Sequence, residues 1–412
     1  MIFSLNTTIN GALFMSLSPI TNIAAAHYDV NPVHIEWLSN MYMLAYIFVA
    51  LPASYCMSKW GVRPIIIIAS GFDLIAGFLH FLGYGRTKFW LILAGQVFAA
   101  VAYGMILQIP GRLSALWFPE HEIATATSIG VFMNIFGVAV GFLQPTNMVY
   151  NSVNENLVER QIRTFFLTQF VSCGVVFCFT ILFYREKPPT PPVLRVTKEV
   201  DNFGESLRIL YTDKYFIIFS QTYGIYFGLF VTFSVLVSPL ITTKFTSGHE
   251  AAIGWMGFWS DMAAIVSCLI IGILLDKYYV HQLVAVFLNL TSLITWLAFI
   301  LILTTTDSFP SLFILFVVLG ATGVPYFASG IDQAAEMTYP VSEATSSAVI
   351  LIIGNLYGFV MIFSLGAAIE MGYIEVAGYS MVGLYAISSI LSLFTKTEMR
   401  RVNAEKMALV AQ

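Results

Sequence analysis

Charge is what this sequence has least of. Only 10% of its 412 residues are Asp, Glu, Lys or Arg, while 58% are apolar. Soluble domains carry about 25% charged and roughly 45–50% apolar residues. Water is thereby excluded as the solvent for most of the chain, and lipid takes its place. The 19 Lys and Arg are scattered and the net charge is −4, so there is no basic block to hold nucleic acid. The four cysteines, Cys56, Cys173, Cys178 and Cys268, fall in or beside apolar runs. They read as free thiols, not as a disulfide framework or a metal site. The six histidines do not cluster; only His27 and His34 lie close in sequence. No Gly-x-x-x-x-Gly-Lys-Ser/Thr loop is present to cradle phosphate. No paired nucleophile and base marks an intramembrane enzyme, and no cofactor is implied. A cleavable signal pattern is also missing. The chain opens directly on an apolar stretch with no basic residue before it. The expectation there is a first helix that is short at its start, or a chain without its original N-terminal tail.

Long apolar runs are what the sequence does have. A spanning helix needs about 20 mostly apolar residues, and by that rule the chain holds twelve. Their approximate limits are 1–26, 34–58, 64–84, 88–117, 122–148, 162–184, 214–243, 251–275, 279–305, 309–337, 342–369 and 375–396. The long polar stretch in the middle carries Lys187-Pro188-Pro189-Thr190-Pro191-Pro192, which disfavours helix and keeps the chain extended. The expected organisation is an N-terminal six-helix half (1–184), a linker (185–213), a C-terminal six-helix half (214–397) and a tail (398–412). Most of the 19 Lys and Arg fall on one set of loops, which includes the linker and the tail. That asymmetry predicts a cytoplasmic linker and C-terminus, and an even number of spans puts the N-terminus there too.

The two halves repeat. Trp117-Phe118-Pro119-x-x-Glu122 returns as Thr338-Tyr339-Pro340-x-x-Glu343, and Asn134-Ile135-Phe136-Gly137 as Asn355-Leu356-Tyr357-Gly358. Both motifs recur 221 residues on. A constant offset across two motifs points to two copies of one design. Between spans 2 and 3 stands Ser58-Lys59-Trp60-Gly61-Val62-Arg63, and between spans 8 and 9 stands Gly272-x-Leu274-x-Asp276-Lys277. Six plus six spans with these loops resemble the major facilitator superfamily, whose signature loop is Gly-x-x-x-Asp-Arg-x-Gly-Arg. The resemblance implies an all-α membrane protein with a twelve-span fold, its six-helix halves related by a pseudo-two-fold axis. It also implies a charge clamp at each loop. The first copy is weakened by Ser58 in place of the acid, and Asp276 and Lys277 carry the second.

A narrower resemblance rests on five stretches: Gln108-Ile109-Pro110-Gly111-Arg112-Leu113-Ser114-Ala115-Leu116-Trp117-Phe118-Pro119, Ala124-Thr125-Ala126, Gly137-Val138-Ala139-Val140-Gly141-Phe142, Glu36-Trp37-Leu38-Ser39-Asn40-Met41-Tyr42-Met43-Leu44, and Met337-Thr338-Tyr339-Pro340-x-Ser342-Glu343. These are similar to the feline leukaemia virus subgroup C receptor family of solute carriers. Members of that family are linked to choline and ethanolamine transport and to haem export. The resemblance implies an aromatic cage for choline. Its span 1 Trp falls on Phe14, its span 7 Tyr on Val231, and its glutamines in spans 5 and 11 on Ile135 and Asn355. One ring is kept in altered form and one is lost; Tyr223, Tyr226 and Tyr357 are candidates to replace it.

Polar groups inside a bilayer are costly, roughly 2.5–3.5 kcal/mol for a central charge, so each needs a reason. Gln108, Asn134, Gln144, Gln221 and Asn355 lie on spans 4, 5, 7 and 11, which flank the central cavity of this fold. Each reads either as a substrate contact or as interhelical glue. The pair Asn134/Asn355, beside Gly137/Gly358, also reads as a device for close helix approach. Arg112 near the end of span 4 faces two readings. Either it meets Asp332 or Glu336 (i, i+4 on span 10) and closes the cytoplasmic side, or all three contact water and headgroups. Asp73, mid-span 3, is either a proton or cation site or a packing partner of a neighbouring polar atom. Asp261 is expected near the headgroups.

The residues expected to bind substrate are therefore Phe14, Gln108, Asn134, Gln221, Tyr226, Asn355 and Tyr357. The expected gating residues are Arg112, Asp332, Glu336, Asp276 and Lys277. The expected function is a carrier of a small organic solute by alternating access, choline-like, ethanolamine-like or haem as the resemblance implies. It is expected to act as a monomer in the lipid bilayer of the plasma membrane, with no nucleic-acid partner. The competing class is a non-transporting receptor or scaffold that kept the fold, or a carrier of another solute.

Overall fold

The computed structural model describes residues 1–107, 109–118, 123–152, 154–185, 203–245, 249–278, 280–306, 308–341, 343–395 and 400. Side chains are not described at a few further helical positions, among them Arg112 and Asp276. Gln108 lies outside the described residues, as do the side chains of Arg112 and Asp276, so those three expectations have no counterpart in the structure. Among the described residues the chain is helical, without a strand. The helices are α1 (Ile2–Phe14), α2 (Thr21–Tyr28), α3 (Pro32–Trp60), α4 (Val62–Leu82), α5 (Phe89–Ile106), α6 (Ile109–Trp117), α7 (Ile123–Met148) and α8 (Glu155–Phe183). They continue with α9 (Phe203–Thr212), α10 (Lys214–Thr242), α11 (Glu250–Tyr278), α12 (His281–Thr305), α13 (Phe309–Thr338), α14 (Glu343–Glu370) and α15 (Ile374–Phe394). Among the described residues twelve spans are long and apolar enough to cross a membrane. Most lie within a few residues of the limits read from the sequence, but the fourth ends at Ile106 rather than near 117, the fifth starts at Ser128 rather than 122 and the sixth at Glu155 rather than 162.

Local chemistry fixes the ends. Asn31 caps α3, its side chain accepting from Val33 N at 3.1 Å, with Pro32 at the first helical position. The turn into α4 passes through Gly61 at φ +89°, a backbone region that glycine enters without steric cost. Apolar side chains point outward: Phe48, Ile273, Leu283, Phe287 and Ile294 are exposed. In water such a surface would aggregate; in lipid it is the expected exterior. Two spans are enclosed instead. In an 18-residue apolar window of each, 78% of the residues are buried in Ile2–Tyr28 and 89% in Lys214–Thr242, against 28% in Glu250–Leu275.

By contact the chain forms two units. The first holds Met1–Leu194, Thr232–Met262 and Phe359–Ile374; the second holds Arg195–Val231, Ala263–Gly358 and Glu375–Gln412. The division cuts through α10, α11 and α14. Their ends at Thr242, Glu250 and Glu370 belong with the first six spans, whatever repeat they come from in sequence.

The repeated Asn and Gly positions are close helix approaches. In the first unit Gly137 of α7 lies against the Thr8 backbone of α1, leaving no room for a side chain. Asn134 donates to Thr7 O at 3.1 Å across the same seam. In the second unit Gly228 of α10 lies against Gly358 of α14, where a Cβ would come within 2.8 Å of the Gly358 nitrogen. The same device thus joins the first and fifth spans and the seventh and eleventh. Without a water-driven hydrophobic force between helices, such backbone contact is a main source of association in lipid.

Candidate functional site

The site is built on a break in the first span. Its apolar run is continuous in sequence, yet α1 stops at Phe14 and α2 starts at Thr21, with a short 3-10 turn at Ser18–Ile20 between them. Pro19 causes it: proline has no N–H for the helix ladder and disfavours helical geometry in the residue before it. Broken backbone in a bilayer must find new partners, and it does. Gln96 of α5 donates to Leu13 O at 3.1 Å, and Ser39 of α3 donates to Phe14 O at 3.0 Å. Ser39 and Ser18 share a further hydrogen bond of 2.7 Å.

These bonds hold Phe14 from both sides. Its ring stands edge-on to Tyr42 at 5.0 Å between centroids and stacks with Tyr103 at 6.4 Å and 10°. Tyr42 and Tyr46 each contact Tyr103, at 5.4 and 6.0 Å. Phe14 and Tyr103 are half-buried while Tyr42 is fully buried. The arrangement is a wall of ring faces carried by α1, α3 and α5, with its exposed members parallel. One turn before Phe14, Asn10 donates to Asp73 Oδ1 of α4 at 2.8 Å and to Ala99 O of α5 at 3.0 Å. Asp73 is buried, and its Oδ2 has no hydrogen-bond partner among the described residues. The packing reading of Asp73 is thus realised for one oxygen and not for the other.

In the second unit Tyr357 donates to Gln221 Oε1 at 2.7 Å, and both side chains are half-buried. Tyr226 is placed differently from the expectation of a solute-facing ring. It is 1% exposed, shares a 2.6 Å hydrogen bond with Ser292, and its ring centroid lies 4.0 Å from that of Tyr326. Ser292 passes the chain on to Thr322 at 2.7 Å. Three helices converge on that hydroxyl, so the group is fixed inside the packing. Tyr226→Phe is expected to cost about 1 kcal/mol of stability and to leave solute KM within about twofold of the parent. Uptake kinetics beside a thermal melt check both.

Asn355 is likewise buried, donating to Leu351 O of its own helix at 2.7 Å. Gln144 is glue between α7 and α8, donating to Thr168 Oγ1 at 2.8 Å. Val231 and Ile135, onto which the resemblance places a cage Tyr and a Gln, are buried apolar side chains. Asp332 pairs with His281 at 2.8 Å, a contact between α12 and α13 that the scattered histidines did not foretell. Glu336 is buried, and Lys277 is exposed, its ammonium 5.3 Å from the centre of the Tyr278 ring. Asp261, expected near the headgroups, is buried, 6% exposed. It shares a helix face with Gly254 and Gly257 at i, i+3 and i+7, and those glycines seat Thr146 and Phe142 of α7. Sequence reasoning did not single out Tyr42, Tyr103 or Gln96. Tyr42 and Tyr46 at i, i+4 on an apolar span were the available signal.

Among the described residues no three His, Cys, Asp or Glu side chains converge on a metal-sized site. Twelve apolar spans among the described residues, the first of them interrupted, define an integral multi-pass membrane protein. A model of the Major Facilitator Superfamily matches residues 3–361. The Choline/ethanolamine transporter FLVCR1 of Felis catus is 30% identical over 417 residues, covering 98% of this chain and 73% of its own. The Uncharacterized MFS-type transporter C09D4.1 of Caenorhabditis elegans is 29% identical over 412 residues, covering 98% and 70%. A solved D-xylose-proton symporter, 12% identical, superposes with a TM-score of 0.68 over 96% of this chain and 95% of its own, which shows the shared fold. The chain belongs to the major facilitator superfamily and, within it, to the FLVCR-related family of solute carriers.

Proposed function

We propose that the chain carries a small organic cation of the choline and ethanolamine type across a membrane by alternating access. The observation that supports this most is the ring wall at the break in the first span. A quaternary ammonium has no N–H to donate, so ring faces must stabilise it, by roughly 0.5–2 kcal/mol per contact. Phe14 and Tyr103 offer half-buried faces whose positions are set by hydrogen-bonded backbone on one side and packed helices on the other. The names of the relatives, choline/ethanolamine transporters, agree with that chemistry. No step needs a nucleotide or a metal; the solute's own gradient is a sufficient driving force.

The Lys and Arg asymmetry supports a cytoplasmic linker and tail. The ends of α3 and α14 near Pro32 and Glu370 then face outward, and the plasma membrane is the proposed location. The test is uptake of labelled choline and ethanolamine in cells lacking their own carriers. Saturable uptake above the empty-vector level is expected. No uptake from a chain shown to be at the cell surface would contradict the proposal.

A further inference from the structure

The first unit holds a second, unassigned constellation at its Pro32/Glu370 end. There α3 packs on α14: Trp37 stands edge-on to Phe359 and Phe363 at 5.8 and 5.7 Å, and Asn40 donates to Phe359 O at 3.3 Å. At the same end α10 touches the broken first span. Ser238 donates to Pro19 O at 3.0 Å, so the Ser-Pro pair of one repeat bonds that of the other. α11 packs on α7 through Gly254 and Gly257. Each of these seams carries helices from opposite halves of the sequence, and each must part for a carrier to open to this side.

Two of the seams bury a carboxyl group with one oxygen that has no hydrogen-bond partner among the described residues. Glu36 is 3% exposed, with its carboxylate against Gly366, where any side chain would collide with it. Its Oε2 makes no hydrogen bond among the described residues. The charged group acting on it from α14 is Glu370, of the same sign. Of the histidines of this end, His27 bonds Tyr84 O at 2.9 Å, His34 lies against the Phe89 ring and His249 lies beside the Phe245 ring at 5.4 Å. Asp261 is 6% exposed on the α11 face that meets α7, its Oδ2 unpartnered among the described residues. α7 carries no ionisable side chain at all. Burying a bare carboxylate without a counter-charge is among the most costly arrangements in a protein. Something must neutralise both groups while the seams are shut.

We propose that Glu36 and Asp261 are proton-binding groups of these seams, each taking a proton from the solution on this side as the seam closes and returning it as the seam opens. The inference rests on the alternating-access reading for its meaning, since only a carrier needs the seams to part. The balance is simple. One proton binds one carboxylate oxygen on closing, the same O–H bond breaks on opening, and both exchanges are with the same solution. No proton crosses the membrane, so the device sets the direction of the resting equilibrium without driving flux.

The sign follows from linkage. The closed form binds more protons, so closing is favoured as pH falls and opening as pH rises. The effect falls on the opening equilibrium. At the limit it is about tenfold in the opening equilibrium per pH unit for each carboxyl.

The experiment is hydrogen–deuterium exchange of the purified full chain, corrected for intrinsic rates, at mildly acidic and mildly alkaline pH. The informative peptides cover 30–45, 250–262 and 359–372. In the parent, exchange there is expected to be at least about threefold faster at alkaline pH. In Glu36→Gln/Asp261→Asn, which keeps shape and removes titration, the pH difference is expected to vanish. An unchanged pH response in that double variant, or none in the parent, would overturn the proposal. Sodium-dependent protection at fixed alkaline pH would also overturn it, by naming a cation in place of the proton. The readout needs no solute, so it fails independently of transport. A pH response without choline flux would leave the seam groups standing and remove the carrier reading, and flux without a pH response would do the reverse.

Discussion

Replacing Phe14 by Ala is expected to abolish most saturable choline uptake, by about 30-fold in the initial rate at low solute, with the protein still at the membrane. The size follows from two losses. One is a ring face, worth up to about 2 kcal/mol once the site is desolvated, and 1.4 kcal/mol is a factor of about ten. The other is orientation, because Phe14 supports Tyr42 edge-on and stacks with Tyr103. Phe14→Trp restores a ring with a stronger face and is expected to retain or raise uptake. Tyr103→Leu is expected to behave like Phe14→Ala, and the two single losses are expected not to add, because the rings act on one solute group. A Phe14→Ala variant with full uptake would mean that the wall is only packing.

Replacing Gly137 by Val is expected to prevent folding. Gly137 faces the Thr8 backbone with no space for a Cβ. Neither partner is the end of a flexible side chain, so the helices must move apart. Overpacking in cores costs roughly 1–3 kcal/mol where neighbours can adjust; backbone against backbone cannot. Separation would also break the Asn134 bond to Thr7 O. The expected result is loss of the monodisperse peak in size-exclusion chromatography, or a melting temperature lower by more than about 5 °C. Gly228→Val is expected to act alike in the second unit, where Gly358 is the neighbour. A normal melt in both variants would show that the repeated Asn and Gly motifs have some other purpose.

The contrast between these two predictions follows what the sequence could reveal. Helix number, limits and the glycine seams were legible because a bilayer imposes one rule: apolar length for each span and small residues where backbones meet. The break after Phe14 was not legible, because the apolar run passes through it without interruption. Ser-Pro occurs at Ser18-Pro19 and again at Ser238-Pro239, yet α10 continues through Pro239 while the first span stops. What differs is the surroundings. Gln96 and Ser39 stand ready to satisfy the freed carbonyls of the first span, and such partners from other helices cannot be read from local pattern.

The site was legible in part for the same reason. Phe14 was named from a resemblance, and its partners Tyr42 and Tyr103 required the packing of α3 and α5. Gln221 and Tyr357 were named as separate candidates, and they form one hydrogen-bonded pair. Tyr226 looked like a spare ring, but its hydroxyl is committed to Ser292. Asp261 reads as a headgroup neighbour from its place in the first half of its span, and its burial against α7 is not part of that reading. The glycines at i−4 and i−7 mark its face as one buried against a neighbour, a pattern visible only once that neighbour is known.

The central claim is that ring faces beside the broken first span recognise a quaternary ammonium. Its most direct test separates charge from shape. Labelled choline uptake into liposomes holding the purified chain should be competed by unlabelled choline and by 3,3-dimethylbutan-1-ol, the neutral compound in which carbon replaces nitrogen. Ring faces attract the cation and not the isostere, so choline is expected to compete at least about tenfold better. Equal competition by the two compounds would show that the site reads shape alone, and would contradict the account.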